Sequence, residues 1–167
     1  MKVLGVDPGS TTVGYGLVET GRDRFAHLLE CGVLKPRAGM TLAGRLRVIH
    51  DGMGELIARH RPDMMAVEDI FVGKNPRSSA VLGHARGVIL LSAEESGLPI
   101  AEYSPATIKQ TVVGRGGALK TQVGYMVAQL LRLAEAPAPA DAADGVAVAL
   151  THLLRARGPA GRMAGMK

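Results

Sequence analysis

Apolar positions along the chain change period several times, and each change marks an element. KVLGVD, residues 2–7, is an apolar run ending in a carboxylate and predicts a buried strand. Pro8, Gly9 and Ser10 supply a turn, after which TVGYGLVE returns as a second strand. A third strand is predicted from Ala26 to Leu34, ahead of Pro36, so the opening reads as an antiparallel meander. The period then becomes helical through Leu42, Leu46, Ile49, Met53, Leu56, Ile57 and His60, with Thr41 as N-cap and Pro62 as the stop. MMAVEDIFV is short, branched and aromatic, which predicts a strand. Because a helix precedes it, it should lie parallel to the first.

A helix rich in small residues follows, from Ser78 to Glu95, closed by Gly97. Ala80, Gly83, Ala85 and Gly87 would let another backbone approach it closely. PIAEYS predicts a short strand. Two further helices, Pro105 to Val112 and Thr121 to Leu133, flank a flexible loop, Gly114-Arg115-Gly116-Gly117. APAPAD is a rigid connector whose Pro139 can start a last helix, through Arg157. The pattern therefore predicts one α/β domain over 1–157, built on a five-stranded mixed sheet: three antiparallel strands, then parallel additions, flanked by helices. The tail, 158–167, has no core-forming pattern and should be a loose appendage.

Composition narrows the partner. Lys plus Arg is 20 against 15 Asp plus Glu, a formal charge of +5, which suits a polyanion. Cys31 is the only cysteine, which excludes a disulfide framework within the chain and argues against a cysteine-based zinc site. No apolar run has the roughly 20 residues that span a membrane, so a soluble, cytoplasmic protein is expected.

Four carboxylates carry the candidate chemistry. Asp7 ends a strand; beside Pro8-Gly9 it can equally be a turn residue. Glu68 lies within MMAVEDIF, where a buried carboxylate is costly unless paired or bound to a cation, although an edge strand could turn it to solvent. Asp141 and Asp144 share one face at the start of the last helix, where acidic residues also serve the helix dipole. Parallel placement of the Asp7 and Glu68 strands sets their ends side by side, and the last helix packed over that end would bring all four together. Such a cluster repels itself and is relieved by hard divalent cations. Two such ions about 4 Å apart suit phosphodiester hydrolysis.

GVDPGSTTVGYGLVE, AVEDIF, KNPRSSAVLGHARG, IKQTVVGRGGALKTQV and DAADGVAVALTH, in this order, resemble the RuvC family of Holliday-junction resolvases. The resemblance runs from about Lys2 to His152. It implies an RNase H-like fold and a structure-selective endonuclease of recombination and repair, which resolves four-way junctions by paired symmetric nicks. It also implies a homodimer and a branch-migration helicase complex as partner. The family's metal-binding carboxylates map onto Asp7, Glu68, Asp141 and Asp144, with magnesium or manganese, two ions per site. Three positions depart from the pattern: Asp69 stands where an uncharged polar residue is common, His84 where an amide is common, and Gly145 where alanine is typical. On a regular strand Asp69 points away from Glu68.

The resemblance also gives roles to residues that are otherwise ordinary. Lys109 and Lys120, by themselves solvated lysines, match those that lie near the scissile phosphate. Arg115 could reach a phosphate from its loop. Phe71, by itself a core residue, matches the aromatic that stacks on an unpaired base at the crossover, with the cations Lys74 and Arg77 beside it. His27, His50, His60 and His152 read as structural or exposed. Competing readings are a sugar kinase or actin-like ATPase fragment, from VDPGSTTVGYGLV; a junction-binding protein without catalysis; and an RNA-processing nuclease of the related YqgF type. The first needs a second nucleotide-closing domain, for which 167 residues leave no room.

Overall fold

The computed structural model describes residues 1–21, 25–70 and 76–157, with 76, 77 and 157 given by their backbone. Within these residues five strands form one open sheet: β1 (Lys2–Asp7), β2 (Val13–Thr20), β3 (Ala26–Leu34), β4 (Met64–Glu68) and β5 (Ile100–Tyr103). Their order is β3-β2-β1-β4-β5. The β1–β2 and β2–β3 pairs are antiparallel, and β1–β4 and β4–β5 are parallel. The mixed sheet expected from the pattern is therefore present. A bulge at Leu17/Val18 interrupts the β2–β3 register.

Among the described residues, five helices cover the two faces: α1 (Leu42–His60), α2 (Pro76–Glu95), α3 (Pro105–Val113), α4 (Lys120–Leu131) and α5 (Ala140–Arg157). Thr41 caps α1 by accepting from the Gly44 amide at 3.2 Å, as the sequence suggested, and Ser104 caps α3 through Thr107. Strand alternation divides the core in two. Leu4, Val6, Val13, Tyr15, Leu17, Met65 and Val67 face α1 and α2. Val3, Val18 and Ala66 face α3, α4 and α5.

One boundary differs from the sequence pattern. MMAVEDIFV reads as a strand through 72, but β4 ends at Glu68. Its neighbours run out there: Val6–Val67 and Glu68–Tyr103 are the last parallel pairs, and Pro105 already opens α3. Glu68 is thus a strand-end residue. The expected loose tail, 158–167, lies outside the described residues. No described helix is long and apolar enough to cross a membrane.

Candidate active site

Asp7 and Glu68 end the adjacent parallel strands β1 and β4. By alternation each side chain follows the face of Val3 and Ala66, the one covered by α5. Helix α5 comes unusually close to that face because glycines pave it. A Cβ at Gly14 would lie 1.8 Å from the Asp141 carbonyl oxygen, and one at Gly16 would lie 2.5 Å from Val146 Cα. From the helix side, a Cβ at Gly145 would meet the Tyr15 main chain at 2.6 Å. This approach seats the first turns of α5, with Asp141 and Asp144, over the strand ends. Gly145 lowers helix propensity by up to about 1 kcal/mol relative to alanine, and the close approach is what that glycine permits.

A cavity of about 270 Å³ opens at this place, with Asp7, Glu68, Asp144, Lys109 and Lys120 on its walls. Lys109 comes from α3, and Lys120 is the first residue of α4. The ammonium of Lys120 donates to Asp144 Oδ2 at 2.6 Å. Asp141 does not line the cavity, but its charge acts on both Asp7 and Lys120.

The carboxylates perturb one another. Burial, then the charges of Asp7 and Asp144, push Glu68 from 4.5 up to about 8. Burial and the charge of Asp144 push Asp7 from 3.8 up to about 6. The hydrogen bond between the two lowers Asp7 and raises Glu68, so Glu68 is the one that keeps the proton near neutrality. Lys120 is raised, first by its hydrogen bond to Asp144. The cluster thus contains more negative charge than its surroundings neutralise, and the Lys120 ammonium offsets part of it.

Cation binding can be judged from the donors present. The clustered acids offer only hard carboxylate oxygens, which suit magnesium or manganese better than zinc. As the side chains stand, no three acidic, histidine or cysteine groups among the described residues converge as a ready ligand set. The Asp7–Glu68 hydrogen bond and the Lys120–Asp144 ion pair occupy lone pairs that a cation would need. The donor chemistry fits a divalent ion once the proton leaves and the ammonium turns aside.

Other predicted residues fall elsewhere. Phe71 and Lys74 lie outside the described residues, and so does the side chain of Arg77. Arg115 is exposed on the α3–α4 loop and does not line the cavity. Gln110 reaches across that loop. The Gln110 amide donates to the Gly114 carbonyl at 2.8 Å and accepts from the Gly116 N–H at 3.1 Å. Asp69 takes the opposite face from Glu68, as strand alternation required, and pairs with Arg86. His152 is held by the Tyr103 hydroxyl at 2.8 Å, away from the carboxylates. Reading the sequence for charge missed Gln110, Arg86 and the glycine strip. The signal for the strip was glycine at alternate positions 14 and 16 of one strand.

Comparison with known proteins agrees with the motifs. The family model described as "Crossover junction endodeoxyribonuclease RuvC" matches residues 3–152. A relative of that name from Pelotomaculum thermopropionicum is 50% identical over 91% of this chain and 92% of its own. Another, from Halorhodospira halophila, is 51% identical over 90% of this chain and 89% of its own. The solved structure of T. thermophilus RuvC in complex with Holliday junction substrate superposes with a TM-score of 0.85 at 36% identity, over 94% of this chain and 96% of that one. With its ordered motifs, its clustered acids and these matches along nearly its whole length, the chain belongs to the RuvC family of crossover junction endodeoxyribonucleases.

Proposed function

We propose that this chain cuts four-way DNA junctions by metal-dependent phosphodiester hydrolysis at the Asp7–Glu68–Asp144 cavity, with Asp141 completing the acidic set. The observation that carries this reading is the pair of adjacent parallel strand ends whose carboxyls line one cavity with Asp144 and the ammonium of Lys120. Keeping such a cluster desolvated is costly for a protein that only binds DNA, and it suits one that gathers cations against a phosphate. Divalent ions held there, two of magnesium or manganese, would activate the attacking water and stabilise the leaving oxygen.

The protein's own groups have separable tasks. Asp7 and Glu68, on the sheet, supply a rigid floor of oxygen donors. Asp144 forms the opposite wall on α5, and Asp141, one turn earlier, adds its charge from beside the cavity. Lys120 neutralises Asp144 in the free protein; on meeting DNA its ammonium is free to turn to a phosphate oxygen and offset charge gathering in the transition state. Lys109, across the same cavity, is placed for the same work. Arg115, Phe71, Lys74 and Arg77 are assigned to contacts with the junction.

Two symmetric cuts need two sites, and one chain has one cavity of this kind among its described residues. A two-fold homodimer supplies the second. The open apolar groove of about 500 Å³ between α1 and α2 supports a partner copy there: Gly87 faces open space and Leu91 is half exposed. Association with a branch-migration helicase rests on family membership alone.

Asp7→Asn, Glu68→Gln, Asp141→Asn and Asp144→Asn are each expected to abolish cutting of a four-way junction in magnesium or manganese and to leave junction binding in EDTA intact. Near wild-type cleavage by any one of them removes that residue from the site. Faster cutting of an RNA–DNA hybrid or a linear duplex than of the junction would overturn the substrate assignment.

A further inference from the structure

On the face of β4 opposite the cavity, the guanidinium of Arg86 meets two carboxylates. Arg86 belongs to α2 and is largely buried, its side chain 18% exposed. Its Nη2 pairs with Glu102 of β5 and lies 3.4 Å from Asp69 Oδ1. Its Nε is buried and makes no hydrogen bond among the described residues. A largely buried arginine with an unsatisfied nitrogen is not an inexpensive way to pack a helix. Its location gives the arrangement a use: Asp69 directly follows Glu68.

We infer that Arg86 is a positioning residue for the cavity, acting through Asp69 to hold Glu68 at the end of β4; this rests on the proposed role of Glu68. Among the described residues no strand pair lies beyond Glu68, so the paired ladder ends there. Two interactions replace the ladder at residue 69. Its N–H donates to the Tyr103 carbonyl at 2.8 Å, and its carboxylate is drawn to Arg86. With both the main chain and the side chain of residue 69 held, Glu68 is directed to the α5 face. Glu102, which pairs in register with Val67, anchors the guanidinium to the sheet, so that Arg86 does not follow α2 alone.

The test compares Arg86→Lys, Arg86→Met and the neutral triple variant Arg86→Met/Asp69→Asn/Glu102→Gln with wild type. Four quantities are read: melting temperature without metal, junction affinity in EDTA, heat of binding of Mn²⁺ alone, and the Mn²⁺ concentration giving half-maximal cleavage. The triple variant has no unpaired charge and is expected to melt near wild type and bind the junction normally. Its Mn²⁺ affinity and cleavage should nevertheless fall about 10–100-fold, the range for removing a group that orients a ligand. Arg86→Lys keeps the charge but reaches one carboxylate, and should show a smaller fall in the same direction. It decides the matter if the triple variant fails to fold. Wild-type Mn²⁺ affinity and half-maximal concentration in Arg86→Lys and in a folded triple variant would overturn the inference. So would a fall in Arg86→Met that follows its melting temperature and vanishes in the neutral triple, because that is the pattern of a purely structural interaction. Glu68→Gln, run alongside, keeps the two ideas apart: if it still cuts, the role of Glu68 fails first, whereas if it is dead and the Arg86 variants are normal, only the positioning role fails.

Discussion

Replacing Glu68 with glutamine should stabilise the metal-free protein while destroying its activity. Glu68 is held at about 8 against 4.5 for an unperturbed glutamate. A carboxyl with a higher pKa in the folded state binds its proton more tightly when folded. Its ionisation therefore costs nothing below about pH 4.5, and the cost grows as pH rises through the interval to 8. At 1.36 kcal/mol for each pH unit, that interval of about 3.5 sets a ceiling of about 5 kcal/mol above pH 8. The cavity is open to water, and Asp7 shares the burden through the same proton, so we expect about 2 kcal/mol to be recovered. For a chain of this length that is a rise of about 4–8 °C in melting temperature. Glutamine keeps a donor for the Asp7 hydrogen bond at every pH, which glutamate does only when protonated. The assay is thermal melting of both proteins in EDTA between pH 5 and pH 8.5. The gain should be largest at the alkaline end and shrink toward zero near pH 5. Saturating Mn²⁺ should reverse the order, because a ligand at 100 times its Kd adds about 2.7 kcal/mol and the variant binds it poorly. A variant no more stable than wild type at pH 8.5, or one equally stabilised at all pH values, would refute the reasoning.

Further expectations concern packing, phosphate recognition and the crossover. Gly14→Ala puts a methyl where the Asp141 carbonyl stands; about 3 kcal/mol of overpacking should lower the melting temperature by roughly 6–12 °C, and an unchanged melting curve would mean that α5 does not depend on this approach. Lys109→Ala and Lys120→Ala should slow cutting more than they weaken binding, and each should reduce the salt slope by about one if its ammonium meets a phosphate; equal effects on both quantities would make them plain binding residues. Phe71→Ala should slow cleavage of an intact junction and recover part of the rate on a junction already unpaired at the crossover, since stacking on one base is worth about 1–3 kcal/mol. A fall in melting temperature with no rescue by the opened substrate would make Phe71 a core residue.

Local periodicity was enough to read most of the elements. Alternation and the turn at Pro8-Gly9-Ser10 predict the meander, helical spacing from Leu42 predicts α1, and a helical crossover implies that β4 is parallel to β1. The ordered motifs were enough for the family. These signals are legible because burial repeats at the period of the element that is buried. Where β4 stops was not legible: MMAVEDIFV continues its apolar run, but a strand lasts only as long as its neighbours pair with it, and those end at Val6 and Tyr103. Nor were the hydrogen bonds from Gln110 to Gly114 and Gly116 across the α3–α4 loop legible, because only the folded backbone creates them. Gly145 looked like a defect in a helix; against the Tyr15 main chain it is what lets α5 approach the sheet. The sequence by itself determined which acids were present and which elements bear them. Tertiary structure decided that Asp7 and Glu68 meet with both pKa values raised, that Lys120 rests on Asp144, and that Asp69 turns to Arg86. These depend on distances of a few ångströms between residues far apart in the chain, and electrostatic interaction varies steeply over such distances in a partly desolvated site.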